Sequence, residues 1–481
     1  GVRQWVVAGS EEPFAFESRS VNGGDERSLV DRLERSLSLG SGPVIACSYV
    51  RNAGGGQPRL WIVAHHLVVD AISWSILLDD LACAIRDIED GVTRSLPRSA
   101  SYAQATAAMV ERSVGGDLDE ERAYWQEVLR DATDPRREQV DPGTFAEAEV
   151  VRIRLPDETR RGLAAAAASG HSTEDVLLAA LAKTWAECIG GERIIVELEA
   201  SGRAGPLADS VDLGRTVGWL TVAHPLAIDL RRDADPEAWL WEVRWARRRV
   251  PADGSGYGLL HLLDDRTPWV RPDVVFNYLG SATELQMPGL GRASLNPFGL
   301  PTSGQNRRPA PFLIVAREHE EALLVEVSYT AGASDTEQPN RLLEQFQGAL
   351  AEIVRALRGV GNRRAHALDF SLVQLDDATI AQLSRGRALE DILPLTSAQE
   401  GMLFHSRLSE ETTGELLYRE QFVHEVHGPV DPRRLERALE VLHERHAALR
   451  TEFHWHDLER PVQVVLREVT PRWSRLDLTD K

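Results

Sequence analysis

Residues 59–81 read RLWIVAHHLVVDAISWSILLDDL, and the change of pattern inside this stretch decides the fold. From Arg59 to Ala64 the run is apolar and β-branched, and its length suits a buried strand. It leads straight into His65, His66 and Asp70. After Asp70 the period becomes helical: Ile72, Ile76, Leu77, Leu81, Ile85 and Ile88 recur at three- and four-residue spacing, so a helix lays one face on the strand. The two histidines are thereby expected at a strand end, facing a cleft.

Further along, the same alternation continues. A helix is expected over Glu120 to Arg130, then a turn at Asp141, Pro142 and Gly143, then a strand in which Val151, Ile153 and Leu155 alternate with polar residues. Ser172 with Asp175 three residues later reads as a helix start, followed by Val176, Leu177, Ala180, Leu181 and Trp185, and stopped by Gly190 and Gly191. Arg193 to Leu198 is a strand that ends on Glu199, bringing a carboxylate to a second strand end. A loop with Gly254, Gly256 and Gly258, strands at Val274 to Tyr278 and Leu323 to Tyr329, and an amphipathic helix from Asn340 to Leu357 complete a mixed α/β pattern. From Gly359 to about Asp391 the pattern weakens around one short helix, Asp377 to Leu383, which is read as a linker. A new unit opens at Leu393, with a helix from Pro432 to Leu449 running into a strand at Leu449 to Trp455.

With 481 residues, the chain exceeds one ordinary core and predicts two or three packed units. Charged residues at 27% and hydrophobic ones at 43% fit a globular chain. A net charge of −20 opposes a phosphate backbone, so no nucleic acid partner is expected. Cys47, Cys83 and Cys188 stand far apart, without the spacing of a zinc or redox site. No apolar run reaches the roughly 18–20 residues that span a bilayer, and Gly1 does not open a signal peptide, so neither a membrane nor secretion is expected and the chain is read as cytoplasmic. The missing initiator Met suggests a piece of something longer.

His65, His66, Asp70, Ser73 and Trp74 resemble the HHxxxDxxSW signature of epimerization domains in the condensation superfamily of nonribosomal peptide synthetases, whereas condensation domains usually carry Gly where this chain has Ala71. Further segments fall in the family's order: Tyr124 and Trp125; Glu199 to Ala204; Arg215 to Trp219; the Pro251 to Gly258 loop with Tyr257; and Phe276, Asn277, Tyr278, Leu279 and Gly280. In the second of these the family's first Gly, inner His and final Glu are replaced by Ala200, Ser201 and Ala204, while Gly202 and Arg203 are kept. Leu393 to Met402 and Arg445 to Phe453 are similar to the opening motifs of a condensation domain.

The resemblance implies a two-lobed α/β fold like chloramphenicol acetyltransferase, short at its N-terminus. Residues 1–147 are expected as the N-terminal lobe, 148–359 as the C-terminal lobe, 360–391 as the linker and 392–481 as the start of a condensation domain. It also implies epimerization of an aminoacyl or peptidyl thioester, with His66 and Glu199 as acid and base and His65, Asp70, Ser73, Trp74, Arg203, Tyr257, Asn277 and Tyr278 in support. Imidazole suits the work, since an unperturbed pKa of about 6.5 lets it both give and take a proton near neutrality. No metal and no free cofactor are implied; the substrate would arrive on the 4'-phosphopantetheine of an upstream peptidyl carrier protein, with a condensation module downstream. Arg247, Arg248 and Arg249 are candidates to meet the phosphate of that arm or simply form a solvated helix face. Amide-bond formation in the same cleft, or an inactive domain that only docks a carrier protein, are the alternative functions.

Overall fold

The computed structural model describes residues 15–21, 26–52, 57–92, 94–114, 118–130, 141–168, 170–231, 234–263, 267, 269–280, 284–287, 291–294, 302–319, 322–330, 338–359, 365, 367–370, 372–414, 417–425, 428, 431–474 and 476. The chain divides into two compact units, Gly1–Ala356 and Leu357–Lys481.

In the first unit, β1 (Ala15–Val21), α1 (Glu26–Ser36), β2 (Ile45–Asn52), β3 (Arg59–Ala64) and α2 (Ala71–Glu89) come first. β1 pairs parallel with β2, and β2 antiparallel with β3. Leu29 and Leu33 of α1 cover Ala46 and Val50 of that sheet. Helices α3 (Tyr102–Val114) and α4 (Asp119–Val128) follow, and Trp125 of α4 is wholly buried.

A six-stranded sheet then forms from β4 (Ala148–Arg154), β5 (Arg193–Ala200), β6 (Val222–Asp229), β7 (Val274–Tyr278), β10 (Phe312–His319) and β11 (Ala322–Thr330), in the order β4-β11-β10-β7-β5-β6; a small hairpin of β8 (Glu284–Met287) and β9 (Gly291–Ser294) stands apart from it. β7 runs parallel to both β5 and β10, and the outer pairs are antiparallel. The intervening helices are α5 (Asp157–Ala168), α6 (Thr173–Cys188), α7 (Pro206–Ser210), α8 (Pro236–Arg249) and α9 (Ser255–Leu263), and α10 (Gln338–Gly359) follows β11. α6 is apolar nearly all round, as a helix at the centre of a large core must be, and Val176 through Ala182 are all inaccessible. The Ser172 hydroxyl caps it by accepting the Asp175 amide, as the sequence pattern suggests.

The second unit contains α11 (Asp377–Ser384), β12 (Leu389–Pro394), α12 (Ser397–Thr413), α13 (Pro432–Arg445), β13 (Thr451–His454) and β14 (Val462–Leu466), with strand order β12-β14-β13, all antiparallel. Its core joins Phe370, Ile380, Leu383, Leu389 and Ile392 to Val462, Val464 and Leu466. The stretch read from sequence as a linker therefore supplies half of a hydrophobic core. Its few apolar residues are too widely spaced for a periodic pattern, and they find their partners about 80 residues downstream, on β14.

Ile380 distinguishes a core residue from a linker residue. It is 1% exposed, so Ile380→Ala is expected to cost about 2–5 kcal/mol in urea unfolding, whereas a solvated connector would lose less than about 0.5 kcal/mol.

Candidate active site

β3 ends at Ala64, and His65 and His66 enter a tight turn before α2. His65 braces that turn: its amide donates to the Val44 carbonyl at 2.9 Å, its carbonyl accepts the Val68 amide, and its Nδ1 accepts the Leu67 amide at 3.2 Å. His66 is exposed, and its ring lies 5.7 Å from that of Trp219, tilted by 60°.

Asp70 closes the turn and starts α2 as its N-cap, accepting the Ser73 amide at 2.8 Å. The carboxylate is 2% exposed and also accepts the Ser73 hydroxyl, the Leu220 amide and a two-pronged contact from Arg203, Nη1 to Oδ2 at 2.7 Å and Nη2 to Oδ1 at 2.9 Å. Burial alone would raise the Asp70 carboxyl; the hydrogen bonds from Arg203, Ser73 and Leu220 outweigh it and hold the group below the usual carboxylate range. Arg203 also donates to the Ser201 and Thr216 carbonyls. One buried pair thus ties the histidine turn to the loop after β5 and to residues 216–220. Trp74 is half-buried on α2, and its amide donates to the Asp70 carbonyl.

Glu199 is exposed near the end of β5, with Ala223 as its cross-strand neighbour. The β5–β7 register, Glu197 opposite Val275, continues to place Asn277 beside Glu199, and the Asn277 amide donates to Glu199 Oε2 at 3.1 Å. Glu197, two residues earlier, shares that face of the strand. Burial, and then the Glu199 charge, push the Glu197 carboxyl up. A cavity of about 220 Å³, lined by Arg112, Gly202, Leu207, Ala223 and Ser255 among others, opens beside the start of β6.

Two of the motif tyrosines do not join this group. Tyr278 alternates with Asn277 and so points to the opposite face of β7. There its hydroxyl donates to Glu318 at 3.2 Å, and burial followed by Glu318 pushes the phenol up to about 12. Tyr257 is 4% exposed and packs against Trp125, His261 and Trp269, with burial pushing it up to about 12. It is a core residue.

The glycine loop is likewise a packing device. Ala252, Asp253 and Gly254 run at positive φ. A Cβ at Gly254 would meet the His224 ring at 2.2 Å, and one at Gly256 would meet the Glu121 carboxylate at 1.9 Å. That carboxylate is paired with buried Arg112. Of the arginine cluster, Arg247 is committed to Glu174 and Asp175 at the head of α6, and Arg249 to Glu127 and the faces of Trp245 and Tyr124. Their place is structural. The sequence reading missed Glu197, though strand alternation from Glu199 pointed to it, and missed the contact of Trp219 with His66, for which spacing gives no signal. Among the described residues, no acidic, histidine or cysteine cluster suits a metal ion, and no helix is long and apolar enough to cross a membrane.

A mixed α/β fold carrying an HHxxxD turn locked by an arginine defines the chloramphenicol-acetyltransferase-like class. The chain belongs to the condensation-domain family, whose model matches residues 1–359 and 389–481. Two polypeptides of the linear gramicidin synthase of Brevibacillus parabrevis are among its relatives. The chain is 31% identical to one of them over 493 residues, covering 97% of this chain and 9% of that protein. It is 30% identical to the other over 478 residues, covering 94% and 6%. The chain therefore spans less than a tenth of either relative. Among solved structures, the epimerization domain from the third module of tyrocidine synthetase B superposes with a TM-score of 0.62 at 22% identity, over 73% of this chain and 81% of that one. The first condensation domain of the CDA synthetase superposes with a TM-score of 0.53 at 19% identity, over 73% and 79%. Both likenesses concern the fold.

Asp70→Asn keeps the shape but leaves Arg203 buried without its counter-charge, and is expected to cost about 3–5 kcal/mol in urea unfolding at pH 7. A carboxyl held low in the folded state stabilises above its unfolded pKa and loses that contribution as pH falls through the folded value. The gap between the two proteins should accordingly narrow below about pH 4.

Proposed function

We propose that this chain is part of a nonribosomal peptide synthetase and that its first unit inverts the α-carbon of an aminoacyl or peptidyl thioester. Residues 1–147 and 148–359 serve as the two lobes of an epimerization domain, and the second unit as the opening of a condensation domain. The substrate arrives on the 4'-phosphopantetheine of a carrier protein, without a free cofactor.

The observation that carries this reading is an exposed imidazole, His66, in the turn that Asp70 closes, together with an exposed carboxylate, Glu199, held by Asn277 on the strand that leads to Arg203, the partner of Asp70. Inversion needs that set. One group takes the α-proton, the electron pair moves into the thioester carbonyl as an enolate, and a group on the other face returns a proton to the same carbon. Ala71 in place of Gly after Asp70, together with Ser73 and Trp74, supports epimerization over amide formation, and the Ser73 hydroxyl accepts the Gly218 amide at 3.1 Å. His65 and Asp70, both engaged in the turn, position His66 and take no proton from the substrate.

α-Proton exchange in deuterated water tests the proposal, using a carrier protein loaded with aminoacyl or peptidyl thioesters. Deuterium enters the α-carbon and the L substrate becomes a D/L mixture; His66→Ala and Glu199→Gln each slow the exchange by about 100-fold or more. Amide formation with a second loaded carrier and no exchange would reassign the unit to condensation. Carrier binding that survives His66→Ala, with neither reaction in the unaltered protein, would reduce it to a docking domain.

A further inference from the structure

The backbone around Trp219 is fixed on both sides while its side chain is left open. The Gly218 amide donates to the Ser73 hydroxyl at 3.1 Å and the Leu220 amide to Asp70 at 3.1 Å. Between them the Trp219 carbonyl accepts the Tyr102 hydroxyl at 3.2 Å. Gly218 packs so tightly that a Cβ there would meet the Tyr102 ring at 2.2 Å, and Leu220 is 1% exposed. The indole between these two buried residues is 44% exposed. Large aromatic side chains are normally well covered, because the hydrophobic effect favours removing their faces from water. Here the Gly218 and Leu220 amides and the Trp219 carbonyl are held while the indole beside His66 stays uncovered.

The space next to these rings has a definite shape. With ring centroids 5.7 Å apart, no third ring fits between them, since a sandwich needs roughly 7 Å. An occupant must lie along their shared rim, with one end at the imidazole and the other over the indole. For proton transfer the α-carbon has to come within about 3–3.5 Å of the reacting imidazole nitrogen. Besides its proton the α-carbon carries a nitrogen, the thioester carbonyl and the side chain. Of these, the side chain is the group that differs from one aminoacyl substrate to another, and one of several carbons spans the offset to the indole and gains by covering it.

We infer that Trp219 is the wall against which the side chain of the inverted residue packs, and that the site takes aminoacyl groups with large apolar or aromatic side chains. The inference rests on the epimerization reading. Trp219 touches substrate and sets specificity; His66 does the proton transfer.

Two readouts separate the inference from that reading. The first is calorimetric binding of phenylalanyl- and alanyl-pantetheine analogues in which a stable amide replaces the thioester, so no turnover is needed. The second is α-deuterium exchange of the corresponding carrier-bound thioesters. The unaltered protein is expected to bind the phenylalanyl analogue about 10-fold more tightly than the alanyl one. Trp219→Ala should remove that preference and slow phenylalanyl exchange about 10-fold, with alanyl exchange changed less than about 3-fold, while Trp219→Phe retains most of both. Trp219→Leu makes the same comparison if the alanine variant does not fold. Equal losses for the two side chains, no loss, or no binding of either analogue would overturn the wall. Binding preference without any exchange would leave the wall standing and remove the epimerization reading instead.

Discussion

The site depends on one buried ion pair, Asp70 with Arg203. Removing two charges from water is expensive, and their mutual attraction offsets that only when the remaining hydrogen-bonding capacity is filled. Asp70 meets the condition with two contacts from Arg203, two from Ser73 and one from the Leu220 amide. Because such pairs add little net stability over apolar packing, their value here is positional. Three segments distant in sequence converge on one carboxylate: the turn after β3, the loop after β5 and the strap at residues 216–220. His66 and Trp219 are carried by two of those segments, and Glu199 stands on β5 just before the third. None of the three is buried, so none could be located by packing of its own side chain.

The altered loop after β5 shows which positions the fold itself requires. Gly202 sits at φ 64°, and a Cβ there would fall 1.8 Å from the Leu220 carbonyl oxygen. Arg203 supplies the charge that Asp70 needs. Both are kept. Ala200 and Ser201 are half-buried and Ala204 is exposed, and Ser201 serves the loop with groups any small polar residue could offer: its hydroxyl accepts the Arg203 amide and its carbonyl accepts the Arg203 guanidinium. The departures from the family pattern thus fall where backbone geometry and buried charge tolerate them, and the Asp70–Arg203 contact is intact.

Much of this was legible where the physics is local. The expected strands over 59–64 and 274–278 coincide with β3 and β7, and the amphipathic helix over 340–357 lies within α10, because each pattern repeats within a few residues. The expected helix over 432–449 stops at Arg445, where His446 turns extended (φ −110°, ψ 104°) and a short 3-10 turn leads into β13. The linker reading failed for a different reason: Phe370, Ile380 and Leu383 are buried by partners on β14, and no local window contains both sides of that contact. At the site, motif order named Arg203, which meets Asp70; Asn277, which meets Glu199; and His66, whose ring lies beside that of Trp219. It also drew in Tyr257 and Tyr278, which belong to the core and to the opposite face of β7; a motif marks residues that occur together in sequence without saying on which side of a strand each one lies.

Alternation along β5 has a consequence for the carboxylates as well. Glu197 and Glu199 lie on one face, two residues apart. Two charges so placed repel, and the repulsion grows as water is excluded. The environment treats them unequally: burial and the neighbouring charge make Glu197 slower to ionise than an ordinary carboxyl, while Glu199 is exposed and takes a hydrogen bond from Asn277. Glu199 is thus the exposed carboxyl of the pair and Glu197 the half-buried one. The same strand therefore carries both the carboxyl proposed to face the substrate and, two residues before it, one that ionises less readily than an ordinary carboxyl.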